Sequence, residues 1–211
     1  HLTKDPTNIW LSHQSRYRLE AEAVRDAFLT ASGLLNRTIG GPSVRPPMPA
    51  GIADLGYSGS VKWNESKGAD KYRRGLYIFF QRTVPYPMLM AFDSPDGVVC
   101  AAKRERSNSP LQALTLLNDP VFMECSEALS VRLIRETPDA AQQPSKRIQH
   151  LFEICLGRQP DTKESRTLLA TFERIRAVAG STNVNVQADE KSLWTVMSRI
   201  VMNLEEFVTR E

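Results

Sequence analysis

The sequence predicts a mainly α fold, a multi-helix domain of six or more helices. Three observations predict it. Apolar residues recur at helical spacing through most of the chain. Cap and stop residues punctuate those stretches. The one long segment without that periodicity, residues 40–72, is rich in Pro and Gly and marks a loop.

Residues 16–35 form the first expected helix. Val24, Ala27, Phe28, Ala31, Leu34 and Leu35 give its apolar stripe, and Glu20, Glu22, Arg25 and Asp26 its solvated face. Gly40-Gly41-Pro42 closes that region, and residues 40–72 follow with Pro42, Pro46, Pro47, Pro49, Gly51, Gly56, Gly59 and Gly68. A short hairpin around Tyr57–Trp63 is compatible with this stretch. Residues 73–84 suit a strand by composition and a helix by the spacing of Leu76, Phe79 and Phe80. Pro85 and Pro87 break the chain, and Asp93-Ser-Pro-Asp-Gly97 signals a turn.

Ser109-Pro110 opens the next helix, which runs through Leu111, Leu114 and Leu117 to Asn118-Asp119-Pro120. Asp119 then caps a helix with the stripe Phe122, Cys125, Leu129 and Leu133. Ile148, Leu151, Phe152, Cys155 and Leu156 mark another, stopped by Gly157. Asp161 and Glu164 make a capping box before Leu168, Phe172, Ile175 and Ala179. Residues 180–186 read as a loop. The last helix carries Leu193, Met197, Ile200, Val201, Leu204 and Val208. No repeat of fixed period is present. With 211 residues the chain is expected to form one domain, 1–211, large enough to bury ~70% of its unfolded surface.

Twenty-seven basic and 24 acidic residues leave a net charge of +3, too mild to point to nucleic acid. No apolar run approaches the ~18 residues of a membrane span. The opening His1-Leu2-Thr3 lacks an initiator Met and reads as part of a longer polypeptide. Cys100, Cys125 and Cys155 form no C-x-x-C pair, so neither structural zinc nor c-type haem attachment is expected here. Cys125 and Cys155 fall on apolar helix faces as small hydrophobes.

Signatures of serine hydrolases, zinc proteases and phosphate-cradling loops are absent. His1, His13 and His150 are far apart, and His150 with Glu153 gives two ligands at most. No metal site and no cofactor are expected. The polar residues with chemical potential concentrate in 73–120: Arg73, Arg74, Arg82, Asp93, Asp96, Arg104, Arg106, Asn108, Gln112, Asn118 and Asp119. They have two readings. One is an ion network tying an irregular segment to the helices, since loops need side chains to satisfy their backbone groups. The other is a pocket for an anion or a polyol, because the arginine fork matches carboxylates and similar groups bidentately. Asp93 and Asp96 also suit turn roles, and Asn118 and Asp119 suit a helix break. Among the aromatics, Tyr57, Trp63 and Tyr72 lie in loop, either over a small apolar cluster or against a sugar face. Trp10 and Trp194 are expected in the core or at its edge.

Four blocks carry a resemblance: Arg18–Asp26 with Gly40–Val44, Arg73–Asp96, Arg104–Pro120 and Asn203–Glu211. The chain resembles the planctomycete-type C-terminal domain of unknown function, found in large exported bacterial proteins that often carry an N-terminal cytochrome c-like module. Gly75 stands where that family often has Ser, and Phe80 where Trp is common. The resemblance implies an exported location, at the periplasm or cell surface, and haem in a separate module of the parent. It supplies no catalytic residues. The function expected first is a non-catalytic interaction or scaffold domain packing against other modules of its own polypeptide. The alternatives are a polysaccharide-binding or hydrolytic domain and a docking surface for an electron-transfer module.

Overall fold

A computed structural model describes residues 4–14, 16–49, 51–52, 63–140, 142–179 and 186–210, without the side chains of 179 and 186–189. Seven α-helices lie among these residues: α1 (Ala21–Ser32), α2 (Pro87–Ala91), α3 (Pro110–Asn118), α4 (Pro120–Glu136), α5 (Pro144–Leu156), α6 (Thr162–Ala179) and α7 (Val186–Met202). The fold is mainly α.

Helix α4 is the central element. Val121, Phe122, Cys125, Leu129 and Leu133 recur every three or four residues and are all buried. They pack α4 against α1, α3, α5 and α7. Phe28 of α1 lies with its ring centroid 4.2 Å from Phe122 and meets the edge of Phe207 at 4.9 Å. On the other side Trp194 of α7 sits 4.9 Å from Phe172 of α6. Leu193, Trp194, Met197, Val201 and Met202 are the buried face of α7.

Local signals placed several boundaries well. The Asp119 carboxylate accepts from the Val121 N–H at 2.9 Å and starts α4. Gly157 ends α5 with φ 68°, where a side chain would be strained. At the start of α6 the capping box is reciprocal: Glu164 N–H donates to Asp161 at 2.7 Å, and Asp161 N–H donates to Glu164 at 2.7 Å. Ser109 precedes α3 in an extended conformation but makes no side-chain cap.

Other expectations are corrected. The first helix begins at Ala21, not residue 16, because Tyr17–Arg18 is a short strand, β1. It pairs antiparallel with β2 (Thr209–Arg210), Tyr17 opposite Arg210, and Leu19 N–H donates to Val208 O at 2.9 Å. A partner nearly the whole chain away claims residues whose local pattern is helical. That helix ends at Gly33 (φ 78°), short of Leu34 and Leu35. Residues 73–84 are neither strand nor helix. They hold a 3-10 turn, Gly75–Tyr77, between isolated bridges of Arg73 to Asn36 and Ile78 to Val44. Pro87 opens α2 instead of breaking the chain. Val186 already belongs to α7, which stops at Met202; Val208 is buried from the 3-10 turn Glu205–Val208. Residues 57–62 of the hairpin and 180–185 of the loop lie outside the described residues.

The described residues between α1 and α2 follow an extended and turning path, with a 3-10 turn at Gly68–Tyr72. Trp63 closes it over the core, stacking 5.9 Å from Tyr86 and donating to Pro46 O at 2.8 Å. Trp194 is buried as expected. Trp10 is not in the core. The buried Asp5 carboxylate gathers the N–H groups of Ile9 and Trp10 and turns that loop outward.

Arg158, just past α5, donates to both Glu164 and Glu206, tying the α5–α6 turn to the C-terminal segment. The Arg158 hydrogen bonds hold the Glu164 carboxyl down at about 2. A depressed carboxyl stabilises the fold above its ordinary pKa, and that contribution fades as pH falls through the folded value. The melting temperature should therefore drop more steeply from pH 4.5 to pH 2 in the wild type than in Glu164→Gln. At neutral pH the variant should be the less stable. Parallel slopes in a pH series of thermal melts would rule out this role.

Candidate functional site

Helix α1 carries Glu22 and Asp26 one turn apart on its outer face. Residues 74–76 lie across that face. Asp26 accepts from Gly75 N–H at 2.6 Å and from Arg74 Nε at 3.0 Å. The approach is so close that a Cβ on Gly75 would lie 2.7 Å from Glu22 Cα. This is backbone that cannot step aside, so only glycine fits.

Arg104 enters from the loop before α3. Its Nη1 lies 2.7 Å from Glu22 Oε2 and its Nη2 donates to Oε1 at 3.0 Å, a bidentate pair. The same Nη1 reaches Glu20 at 3.3 Å. Burial acts to raise the Glu22 pKa, but the hydrogen bonds and charge of Arg104 outweigh it and hold the carboxyl below the usual range.

Between these groups runs an open groove of about 620 Å³. Arg74, Leu76 and Arg104 form one side and α1 another, with Ile154, Cys155, Phe207 and Arg210 completing it. A second groove of about 670 Å³ meets it at Cys155 and Arg210 and continues past Arg158 and Glu206. Burial pushes the half-buried Cys155 thiol up to about 12, so it is protonated at neutral pH and a poor nucleophile. Cys125, buried in α4, is likewise pushed up to about 12. All three cysteines are free thiols.

A smaller polar cluster lies beside this groove. Asp93, in a left-handed conformation with φ 59°, accepts from Ser107 N–H at 2.7 Å and Ser107 Oγ at 2.9 Å. Gln112 is fully buried and donates to Ser107 Oγ at 3.0 Å. Arg18 of β1 donates to Gln112 Oε1 at 2.8 Å and to Asn108 Oδ1 at 2.9 Å. Arg106 lies over the Tyr17 ring, 5.1 Å from its centroid. These contacts hold the loop before α3 against β1.

The structure thus brings Asp93, Asn108 and Gln112 together, and sets Arg74 and Arg104 on one groove. It places the rest apart. Arg73 is buried beneath residues 38–42, donating to the carbonyls of Thr38, Gly40 and Pro42. Arg82 is exposed on the loop before α2. Asp96 accepts from Val98 N–H at 2.9 Å in a turn, Asn118 donates to Leu114 O at 2.8 Å, and Asp119 caps α4. Glu22 and Asp26, the acids that organise the groove, look in sequence like an ordinary solvated face. Their one available signal is the i, i+4 spacing of two carboxylates in a chain with arginines at 74 and 104. Arg18 and Ser107 carried no local signal.

Among the described residues, no group of three or more His, Cys, Asp or Glu is placed to hold a metal ion. Nor is any helix among them long and apolar enough to cross a membrane. What emerges is a helical domain whose grooves are lined by paired charges. A model for a protein family of unknown function, PSD1 (DUF1553), matches residues 1–172, and the chain belongs to that family. No curated protein and no solved structure matches it.

Two outcomes follow from the geometry. In Arg104→Gln, the Glu22 carboxyl, followed by side-chain NMR titration, should move up from its depressed position. The pair's contribution, about 1 kcal/mol, should be lost above the Glu22 midpoint. An unmoved Glu22 titration would show that Arg104 does not hold it. Thiol alkylation of the native protein near pH 8 should modify exposed Cys100 rapidly and leave Cys125 and Cys155 unlabelled until denaturant is added. Mass mapping showing prompt labelling of Cys155 would contradict the raised thiol.

Proposed function

We propose that this is a non-catalytic interaction domain that packs against a neighbouring module of its own polypeptide through the outer face of α3. One observation carries the reading: α3 buries Gln112 and Leu116 on its inner face and turns a row of three leucines outward. Leu111, Leu114 and Leu117 are 59%, 56% and 39% exposed, at spacing that aligns them on one side, while Gln112 is 0% exposed. Scattered exposed leucines are ordinary, but three on one nine-residue helix form a stripe ready for a partner. Covering them recovers about 1 kcal/mol apiece, given their partial exposure.

The groove chemistry supports the same reading. Catalysis of glycoside hydrolysis needs a carboxylic acid with a raised pKa facing a second carboxylate. Glu22 is instead held low by Arg104, which also ties up Glu20. Arg74, Arg104 and Arg158 already carry carboxylate partners, which leaves little for an anionic or polyol ligand to recruit. The same pairing weakens the case for an electron-transfer docking face built on basic residues. On this reading the domain belongs to an exported bacterial polypeptide at the periplasm or cell surface, whose haem is carried by a separate module.

The test is a photo-crosslinking residue placed at Leu114 in the intact polypeptide, with the same residue at Leu76, on the groove, for comparison. The Leu114 probe should crosslink to a segment outside residues 1–211, and the Leu76 probe should not. A silent Leu114 probe with a productive Leu76 probe would shift the functional surface to the groove.

A further inference from the structure

A second apolar feature lies at the other end of the sequence and is independent of α3. Ile9, Trp10 and Leu11 are consecutive and 76%, 76% and 83% exposed. They form the tip of a loop that is closed by its own hydrogen bonds. The buried Asp5 carboxylate accepts from Ile9 N–H at 2.8 Å, Trp10 N–H at 3.0 Å and Ser12 Oγ at 3.2 Å. Asn8 N–H donates to Asp5 O at 3.1 Å, and Leu11 N–H to Asn8 O at 3.3 Å. The Asn8 side chain closes the loop, donating to His13 O at 2.6 Å and accepting from His13 N–H at 3.3 Å. Asn8 and Leu11 sit at φ 54° and 51°, a region that a leucine seldom adopts unless its surroundings fix it.

Two features separate this tip from an ordinary exposed loop. First, the N–H donors of residues 8 to 11 all have partners within the loop. A backbone N–H that enters hydrocarbon unpaired is strongly penalised, and this tip carries none at those positions. Second, it is narrow. Three side chains fall short of the ~800 Å² per partner that a stable protein interface buries. A lipid surface asks for no complementary shape. It receives a tryptophan at the headgroup level and aliphatic side chains just beneath. Exposed Lys4 precedes the loop, while Asp5, its acidic residue, faces inward. We propose that the Ile9–Leu11 tip is a wedge that inserts into the interfacial layer of a lipid bilayer, favouring one with anionic headgroups.

The test is co-sedimentation of the 211-residue chain with vesicles of phosphatidylcholine, with and without phosphatidylglycerol. Tryptophan emission is read in parallel with lipids brominated near the headgroup. Trp194 is buried and Trp63 partly so, which makes Trp10 the residue that such lipids can quench. The expected result is binding, stronger with phosphatidylglycerol, with a blue shift and quenching. Trp10→Ser and Leu11→Ser should each weaken partitioning by about tenfold at unchanged thermal stability. Asp5→Ala, which frees the Ile9 and Trp10 donors but keeps every apolar side chain, should weaken it too. Leu114→Ser on α3 should bind as the wild type does. No binding to either vesicle, equal loss with Leu114→Ser, or undiminished binding by the tip variants would each overturn the proposal. So would a tip-dependent self-association in solution without vesicle binding, which would make a second copy the occupant.

Discussion

Backbone carbonyls in irregular structure and at helix ends must find donors, and in this protein arginine supplies many of them. Arg73 donates to three carbonyls of the loop after α1 while its guanidinium lies 3.9 Å from the Tyr77 ring centroid. Arg25, buried in α1, reaches Lys71 O at 2.7 Å. Arg132 of α4 covers Ala31 O at the end of α1, and Arg199 of α7 covers Leu117 O near the end of α3. Arg147, buried at the start of α5, spans Thr137 and Glu190 and so links the end of α4 to α7. A planar fork with five donors suits this task, where a lysine would supply a single point. Among the described residues, those from 36 to 109 have almost no ladder of their own. There, buried guanidiniums reach out to exposed and half-buried loop carbonyls and so hold the segment against the helices.

That constraint explains the fate of the residues with the most chemical promise. An arginine or aspartate looks the same in sequence whether it will meet a ligand or a carbonyl thirty residues away. Here Asp93, Asp96, Asn118 and Asp119 all accept from or donate to backbone within the domain. Arg74 and Arg104 find carboxylates on α1. The groove they line is a by-product of clamping residues 74–76 and 104 onto that helix, and the glycine at 75 is what permits the clamp. Charge pairs of this kind are partly solvated and individually weak. Their value lies in register: they fix where two long loops cross α1.

How much of this was legible in the sequence depended on range. The starts of α4 and α6 and the end of α5 were readable because Asp119, the Asp161–Glu164 pair and Gly157 act on residues within one turn. The start of α1 was not, because the strand partner of Tyr17 and Arg18 is at 209–210. Residues 73–84 defied both periodicities because isolated bridges and side-chain donors, not a repeating pattern, hold them. Trp10 departs from its expected place for a related reason. Composition argues that a tryptophan goes inward, and only the Asp5 carboxylate, five residues back, turns it out. In the groove, Arg74 and Arg104 were visible as charges; Glu22 and Asp26, their partners, were indistinguishable from a solvated face.

The orientation of α3 combines these arguments. Rotating it to bury Leu111, Leu114 and Leu117 would gain about 3 kcal/mol of apolar burial in the isolated domain but give back about 1–2 kcal/mol by exposing Leu116, which is in the core. The same rotation would withdraw Gln112 from Arg18 and Ser107 and break the cluster that holds Asp93. Each buried group left unpaired costs about 1–3 kcal/mol, so two or three of them cancel the gain. Asp119 adds a second restraint, since it ends α3 and caps α4 at one residue and leaves the short helix little freedom to turn about its axis. The outward leucines are therefore compatible with the fold's own energetics but not required by them. A polar network that fixes α3 at near-zero net cost leaves its apolar face free to be used elsewhere.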